Sequence, residues 1–385
     1  MPAAEASPRK LRLAYLGPDL DRRRTADWLA AILPHHDRER FEVWGYGLAP
    51  AGNATESLLR PLFDRWRSVG LWSDLRLEQQ LIADEIDILI DVVGHGTGNR
   101  LPLVARRPVP VVGRWLGFPG TTGVKGLDFF IADGELVSKY DETRFVEPVR
   151  RVAGSQFILP GWADAILARA TTAGGGMPNA ATSSAAAPPA ARRAERTLTL
   201  ACFSPLVHIT GPCLKLWARV LAAVPGARLW LATPELADSH LRHGFEQLLV
   251  GQGIPTDRFE LSSDDVAADD ETRWQSVDLL LDPVPYGDSW SAAAAIVRGI
   301  PVVTLCGERF ATRNTASLLK AAGLTEWVAE SMEEYLERAI EWCENERRRL
   351  RLRAELPSRL ASSQLVDRAR LARDPVEHRE RRALL

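Results

Sequence analysis

Apolar residues in this chain fall into short runs that end on glycine or proline and alternate with stretches of helical spacing. The run LRLAYLGPDL, Leu11 to Leu20, starts as an alternating strand and breaks at Gly17 and Pro18, as a strand entering a first β-to-α turn would. TADWLAAILPHH then has the spacing of a short helix, FEVWGYGL (Phe41 to Leu48) that of a second strand, and LRLEQQLIADE that of a helix. IDILIDVVG, Ile86 to Gly94, is continuously apolar, the mark of a strand buried on both faces. VVGRWLGFPGTTG and LDFFIAD are again strand-like. Strands alternating with helices predict a parallel sheet covered on both sides.

From Ala170 to Arg196 the pattern dissolves into alanine, glycine, serine and proline, a composition that cannot bury enough apolar surface to offset its ordering entropy. Strand and helix signals return with LTLACFS (Leu198 to Ser204), a helix from Cys213 to Leu221 and the strand ARLWLAT. VDLLLDPVPY (Val277 to Tyr286), the helix SAAAAIVRG and the strand PVVTLCG follow. The expected fold class is therefore α/β, with two Rossmann-like, doubly wound parallel-sheet domains. The first covers 1–160 and the second 198–385 with the C-terminal helices, joined by a low-complexity linker at 161–197. In such sheets ligands bind beyond the carboxyl ends of the strands, which places the expected site in a cleft between the lobes.

Composition narrows the function classes. The chain has 385 residues, enough for two cores, and a formal net charge of -2 with no strongly basic face, so nucleic acid is not an expected partner. Arginines do gather in ERRRLRLR from Glu346 and HRERR from His378, but interleaved acids read as a solvated helix face. Cys202, Cys213, Cys306 and Cys343 form no CxxC pair and have no nearby histidine cluster, which argues against a metal site or a disulfide framework and for reduced thiols. No apolar run has the length of a membrane span and MPAAEASPRK is not a signal peptide, so the expectation is a cytoplasmic protein with no membrane partner.

Five strings together carry a family resemblance: LGPDL, Asp87 to Gly123 (DILIDVVGHGTGNRLPLVARRPVPVVGRWLGFPGTTG), LKLWARVLAAVPGARLWL, LLLDPVPY, and GIPVVTLCGERFATRNTASLL. The chain resembles the catalytic region of the O-GlcNAc transferase and SPINDLY family, glycosyltransferase family 41. That resemblance implies a GT-B fold and inverting transfer of a sugar from a nucleotide-sugar, UDP-GlcNAc above all, to a protein or peptide acceptor, without a metal or other cofactor.

The resemblance also implies site residues, and several slots are changed. Where the family keeps a histidine four residues after Asp19, this chain has Arg23, which cannot act as a base but can bind an anion. The slot of a lysine that neutralises the leaving diphosphate holds His208, which carries a charge only when protonated. Ser289, Trp290 and Ser291 stand in for a histidine and two threonines at a helix start, where amides attract a diphosphate, and the ribose-binding acid is replaced by Ala294. Thr312 and Arg313, after Glu308, complete the expected donor side, Arg313 either holding phosphate or pairing with Glu308 to fix the loop. On the acceptor side, Gly117, Pro119, Gly120, Thr121 and Thr122 form a turn either presenting amides to a ligand or serving as a tight turn alone. His95 is the candidate general base, with satisfaction by neighbouring loop groups as the other reading. The family's closing aromatics are missing, and Pro375 is expected to interrupt the last helix. A catalytically degenerate member serving as a binding or scaffolding module is the alternative; a sugar-nucleotide epimerase is a third.

Overall fold

The structure is a computed structural model that describes residues 9–17, 24–172, 197–266 and 270–377. It divides into two compact units, one of Met1–Gly161 with Asp367–Leu385 and one of Trp162–Val366. These boundaries differ from the expected ones at two places. Trp162–Thr172, inside the expected linker, is a helix of the second unit that packs on the Glu346–Ala361 helix. Arg368–Glu377, expected with the second lobe, belongs to the first unit. The Arg368 guanidinium donates to the carbonyls of Leu159 and Pro160, and the Tyr15 hydroxyl meets His36 at 2.9 Å beneath this helix, where His36 also reaches the Ala372 backbone. The remainder of the expected linker, 173–196, lies outside the described residues.

The first unit holds a seven-stranded sheet of β1 (Leu11–Leu16), β2 (Phe41–Gly47), β3 (Arg65–Ser68), β4 (Ile88–Asp91), β5 (Val111–Arg114), β6 (Phe129–Ala132) and β7 (Val149–Arg151). The order is β3-β2-β1-β4-β5-β6-β7, every pairing parallel, so the winding reverses between β1 and β4. Leu16, Leu89 and Val112 from the central strands meet Leu77 and Leu81 of the Asp74–Ala83 helix and Leu103 and Val104 of the Leu101–Ala105 helix in one core. Ser73 caps the first of these helices by accepting the Arg76 amide.

The second unit repeats the plan with six strands: β8 (Leu198–Cys202), β9 (Ala227–Ala232), β10 (Phe259–Ser262), β11 (Leu279–Leu281), β12 (Val302–Leu305) and β13 (Val328–Ala329). Their order is β10-β9-β8-β11-β12-β13, again parallel, with the reversal between β8 and β11. Both units are thus the doubly wound α/β sheets that the alternating pattern predicted.

Two local expectations are corrected. The helix Arg368–Glu377 runs through Pro375 without interruption, as the Glu346–Ala361 helix runs through the buried Pro357. A proline removes one backbone donor, and burial of Leu371 and Ala372 on the inner face of the helix offsets that loss. The arginine-rich run is only partly a solvated face. Arg349 is buried and donates to the carbonyls of Trp342 and Cys343, closing the end of the Met332–Glu344 helix, and Arg353 donates to the Val277 carbonyl.

Candidate functional site

In the first unit the polar chemistry gathers where β4 and β5 end. Asp91, the last residue of β4, is buried and accepts the amides of Val93 (3.1 Å) and Gly94 (3.0 Å), which turns the chain sharply and leaves His95 at the surface. This is why β4 stops five residues after the apolar run begins and does not extend to Gly94. Burial pushes the Asp91 carboxyl upward in pKa, against the opposing pull of Arg114 and the two amides.

Arg114 closes β5 with no exposed surface. Its guanidinium donates to the carbonyls of Gly120 (2.5 Å), Leu116 (3.3 Å) and Phe118, and lies over the Phe130 ring at 4.9 Å. The Trp115–Gly123 loop is therefore wrapped around a buried cation with its carbonyls turned inward. Two glycines are required by that packing. Gly94 (φ +60) would place a side chain 2.6 Å from the Arg114 guanidinium, and Gly117 (φ +60) would drive one into the Val92 carbonyl.

A residue outside every sequence motif secures the rest of the loop. Glu147, just 2% exposed, accepts the Thr121 hydroxyl and the Thr122 amide, each at 2.6 Å, together with the Thr122 hydroxyl. Burial works against its charge, but these hydrogen bonds prevail and hold the carboxyl below its ordinary range. Of the expected acceptor-side loop, Thr121 and Thr122 thus have their hydroxyls committed to Glu147. The amide of Gly120 is bonded to the Phe118 carbonyl and that of Gly123 to the Thr121 oxygen. These two amides and both threonine hydroxyls are thus engaged within the turn, as the tight-turn reading requires.

His95 stands exposed beside this turn. Its ring lies edge-on to Phe118 with centroids 5.1 Å apart, and its Nε2 is 2.9 Å from the Thr122 carbonyl. A carbonyl only accepts, so Nε2 carries the hydrogen and Nδ1 is the nitrogen left to take a proton. Both sequence readings of His95 meet here: one nitrogen is satisfied by the loop and the other can act as a base. Asp19 and Arg23 fall in 18–23, outside the described residues.

In the second unit the candidate residues follow three strands adjacent in the sheet, β8, β11 and β12. His208, half-buried, ends a short turn after β8, with its ring 6.5 Å from that of Tyr286. The loops after β8 and β11 are joined by the Thr210 hydroxyl on the Val284 carbonyl (2.7 Å). Gly287 abuts the start of the Asn314–Ala321 helix so closely that a Cβ would come within 2.6 Å of the Thr315 hydroxyl oxygen. Thr312 exchanges hydrogen bonds with the backbone of Arg309, and the Arg313 guanidinium donates to the Gly307 carbonyl at 3.0 Å, fixing the loop that carries the exposed Glu308.

The expected anion site at the start of the Ser289–Ile296 helix is occupied from within. Asp288, 4% exposed, accepts the amides of Trp290 (3.2 Å) and Ser291 (3.4 Å) and the Ser291 hydroxyl (2.7 Å). Trp290 is buried edge-on against Trp162, centroids 6.3 Å apart. A diphosphate reaches those amides only by displacing the Asp288 carboxylate, with which it shares its charge sign.

Asp282 ends β11 and supports this turn. Its carboxyl is buried, accepts the Asp288 amide (2.8 Å) and the Thr304 hydroxyl (2.6 Å), and burial pushes its pKa up to about 7 despite both bonds. An unfolded aspartate titrates at about 3.9. Between roughly pH 4 and pH 7 the folded protein therefore keeps a proton that the unfolded chain has released, and the associated stability is full below about pH 4 and is lost as the pH rises through 7. Asp282→Asn, neutral throughout, is expected to flatten that decline. Urea denaturation of both proteins at pH 5 and pH 8 checks it, and equal pH slopes would remove Asp282 as the cause.

Among the described residues no group of three or more His, Cys, Asp or Glu could hold a metal ion, and no helix is long and apolar enough to cross a membrane.

Comparison with known proteins places these features in context. The family model for glycosyl transferase family 41 matches residues 2–159 and 166–374. A probable UDP-N-acetylglucosamine–peptide N-acetylglucosaminyltransferase SPINDLY from Solanum lycopersicum is 28% identical over 95% of this chain. The chain spans only 38% of that relative's length. A Thermobaculum terrenum O-GlcNAc transferase mutant is 30% identical with a TM-score of 0.82, covering 97% of this chain and 67% of its own. UDP-GlcNAc 2-epimerase from Neisseria meningitidis, bound to UDP-GlcNAc, shares 10% identity at a TM-score of 0.53 over 97% of this chain and 99% of its own, a likeness of fold alone. With a family model matched along nearly its whole length and two doubly wound sheets of the GT-B type, the chain belongs to glycosyl transferase family 41.

Proposed function

We propose that this chain transfers a sugar from a nucleotide-sugar, UDP-GlcNAc first among the candidates, to a hydroxyl of a protein or peptide, with inversion at the anomeric carbon. The observation that carries the reading is the placement of His208, Ser289 and Arg313 after three adjacent strands spanning the winding reversal of the second sheet, where open α/β sheets bind ligands. In the first unit His95 offers Nδ1 as the base. The acceptor oxygen bonds to the anomeric carbon, the bond from that carbon to the diphosphate oxygen breaks, and the acceptor proton passes to His95 Nδ1. Arg313, and His208 when protonated, would offset the charge on the departing nucleoside diphosphate. No step requires a metal. The named relatives are described as UDP-GlcNAc-dependent or as O-GlcNAc transferases, which supports this donor and a protein acceptor.

Calorimetric titration with UDP, UDP-GlcNAc, UDP-Glc and GDP-fucose tests the donor side. Micromolar binding of one donor is expected, and Arg313→Ala should weaken UDP by about tenfold, the loss of one charge-assisted contact. Unchanged affinity in that variant would take Arg313 out of the site. A second reading, a member that has kept the fold and lost the chemistry, is favoured by one observation: the Asp288 carboxylate sits on the amides a diphosphate would use. Failure of every donor to bind would establish that reading over transfer.

A further inference from the structure

The hydrogen bond that fixes the tautomer of His95 comes from a carbonyl, and that carbonyl is itself held in place. Thr122 gives its oxygen to His95 Nε2 while its amide and hydroxyl are both donated to Glu147. The neighbouring Thr121 hydroxyl goes to the second oxygen of the same carboxylate, and the Thr121 oxygen in turn accepts the Gly123 amide at 3.1 Å. From the other side of the loop, Arg114 grips the carbonyls of Leu116, Phe118 and Gly120. The turn that carries the Thr122 carbonyl is therefore braced by a buried anion at Thr121 and Thr122 and by a buried cation at Leu116, Phe118 and Gly120. Glu147 contributes the part of this clamp that acts on Thr122 directly.

We propose that Glu147 is a positioning residue for His95: by clamping Thr122 it aims the Thr122 carbonyl at Nε2, holds the imidazole in the Nε2–H tautomer and keeps Nδ1 available to receive a proton. This deepens the reading of His95 as the general base and rests on it. A carboxylate with 2% exposure and three donors has little freedom to move, so the carbonyl it orients is fixed to within the tolerance that proton transfer demands. The charged groups around the clamp are Arg114 and Asp91; Asp91 senses His95 electrostatically, and Arg114 is coupled to both carboxylates. Glu147→Gln keeps the size of the side chain but replaces one acceptor oxygen by a donor that cannot accept from Thr122.

The test is a ¹⁵N spectrum of the histidine-labelled full chain, with the His95 signals assigned through His95→Ala. The wild-type protein is expected to show neutral His95 as the Nε2–H tautomer, and Glu147→Gln to give a mixture of the two tautomers. If Glu147→Gln does not fold, Thr122→Val removes one of the three bonds with a near-isosteric side chain and should shift the tautomer ratio in the same direction. In transfer assays Glu147→Gln should lower kcat by about 10- to 100-fold with little change in KM, and should cost nothing further in a His95→Ala background. A tautomer ratio unmoved in both variants overturns the proposal whatever the activity. A shifted ratio with no transfer by any protein, wild type included, upholds the positioning and sinks the base role of His95. An equal kcat loss with and without His95 would show Glu147 acting on the fold rather than through His95.

Discussion

His95→Ala is expected to lower the rate of sugar transfer by about 100- to 10,000-fold, the range associated with a general base, while leaving UDP affinity unchanged. The separation follows from where the groups sit. His95 follows β4 in the first unit, and the residues proposed to hold the nucleotide follow β8, β11 and β12 in the second. His95 also bears no structural burden comparable to that of its neighbours, since it is exposed and its loop is braced by Arg114 and Glu147 independently of it. Single-turnover transfer from UDP-GlcNAc to a peptide, alongside UDP titration, reads the two effects apart. A rate within about threefold of wild type would exclude a base role worth even a tenth of the lower limit and return His95 to its structural reading. Loss of UDP binding together with rate would place His95 on the donor side instead.

How much of the fold was legible in the sequence depends on burial. The strands read directly, β1, β2, β4, β5 and β6 in the first unit and β8, β9, β11 and β12 in the second, are those flanked by neighbours in the sheet. Flanked on both sides, they are rich in apolar residues, in alternation at LRLAYL and continuously at LLL, and either pattern reads as a strand. The four strands that the pattern did not reveal are β3 (RWRS), β7 (VRR), β10 (FELS) and β13 (VA), and each lies at an edge of its sheet. Edge strands are short, and β3, β7 and β10 also carry charge, which suppresses edge-to-edge pairing and erases the periodicity by which strands are recognised, while β13 has only two residues in which to show a pattern. Strand ends were overestimated at β4 and β11 for a related reason. Apolar residues continue past Asp91, and Pro283, Val284 and Pro285 follow Asp282, but each carboxylate captures downstream amides and ends the ladder.

For the site, the sequence supplied candidate side chains in the loops and missed what holds them. His95 could be selected because it ends a buried apolar strand, and His208 and Arg313 because they fall in slots that the family resemblance implies. Glu147 sits in the unremarkable stretch VEPVR, and only the long-range return of the chain brings it to Thr121 and Thr122, 26 and 25 residues earlier. Asp288 directly precedes the Ser289–Ile296 helix, but neither its burial nor its hold on the Ser291 hydroxyl is visible in the sequence. The Trp115–Gly123 turn shows the same limit. Its glycines suggested space for a ligand, whereas Gly117 is packed on the Val92 carbonyl and Gly120 lies against the Phe118 ring, and only Gly123 faces open space. One signal was present and unused: an arginine interrupting the apolar strand VVGRW is a charge in a buried strand, and such a charge must have partners close at hand.

Arg114→Met should therefore be among the most destabilising single changes in the first unit, by about 3 kcal/mol or more. Methionine fills a similar volume, so the loss does not come from a cavity. It comes from the carbonyls of Leu116, Phe118 and Gly120, which lose the donor that gathers them, the first of them fully buried and the other two partly so, and from Asp91, whose buried carboxyl loses its cation. Burial itself disfavours the guanidinium charge, so a volume-matched apolar residue recovers some desolvation; the net cost stays large because four partners are left behind and only one charge is removed. Urea denaturation followed by near-ultraviolet circular dichroism measures the change. Double substitution separates the terms: Asp91→Asn added to Arg114→Met should recover part of the stability, since it removes the stranded charge while keeping an acceptor for the amides of Val93 and Gly94. A stability of Arg114→Met within about 1 kcal/mol of wild type would show that the loop holds its shape without the cation, and the clamp on Thr122 would then rest on Glu147 alone.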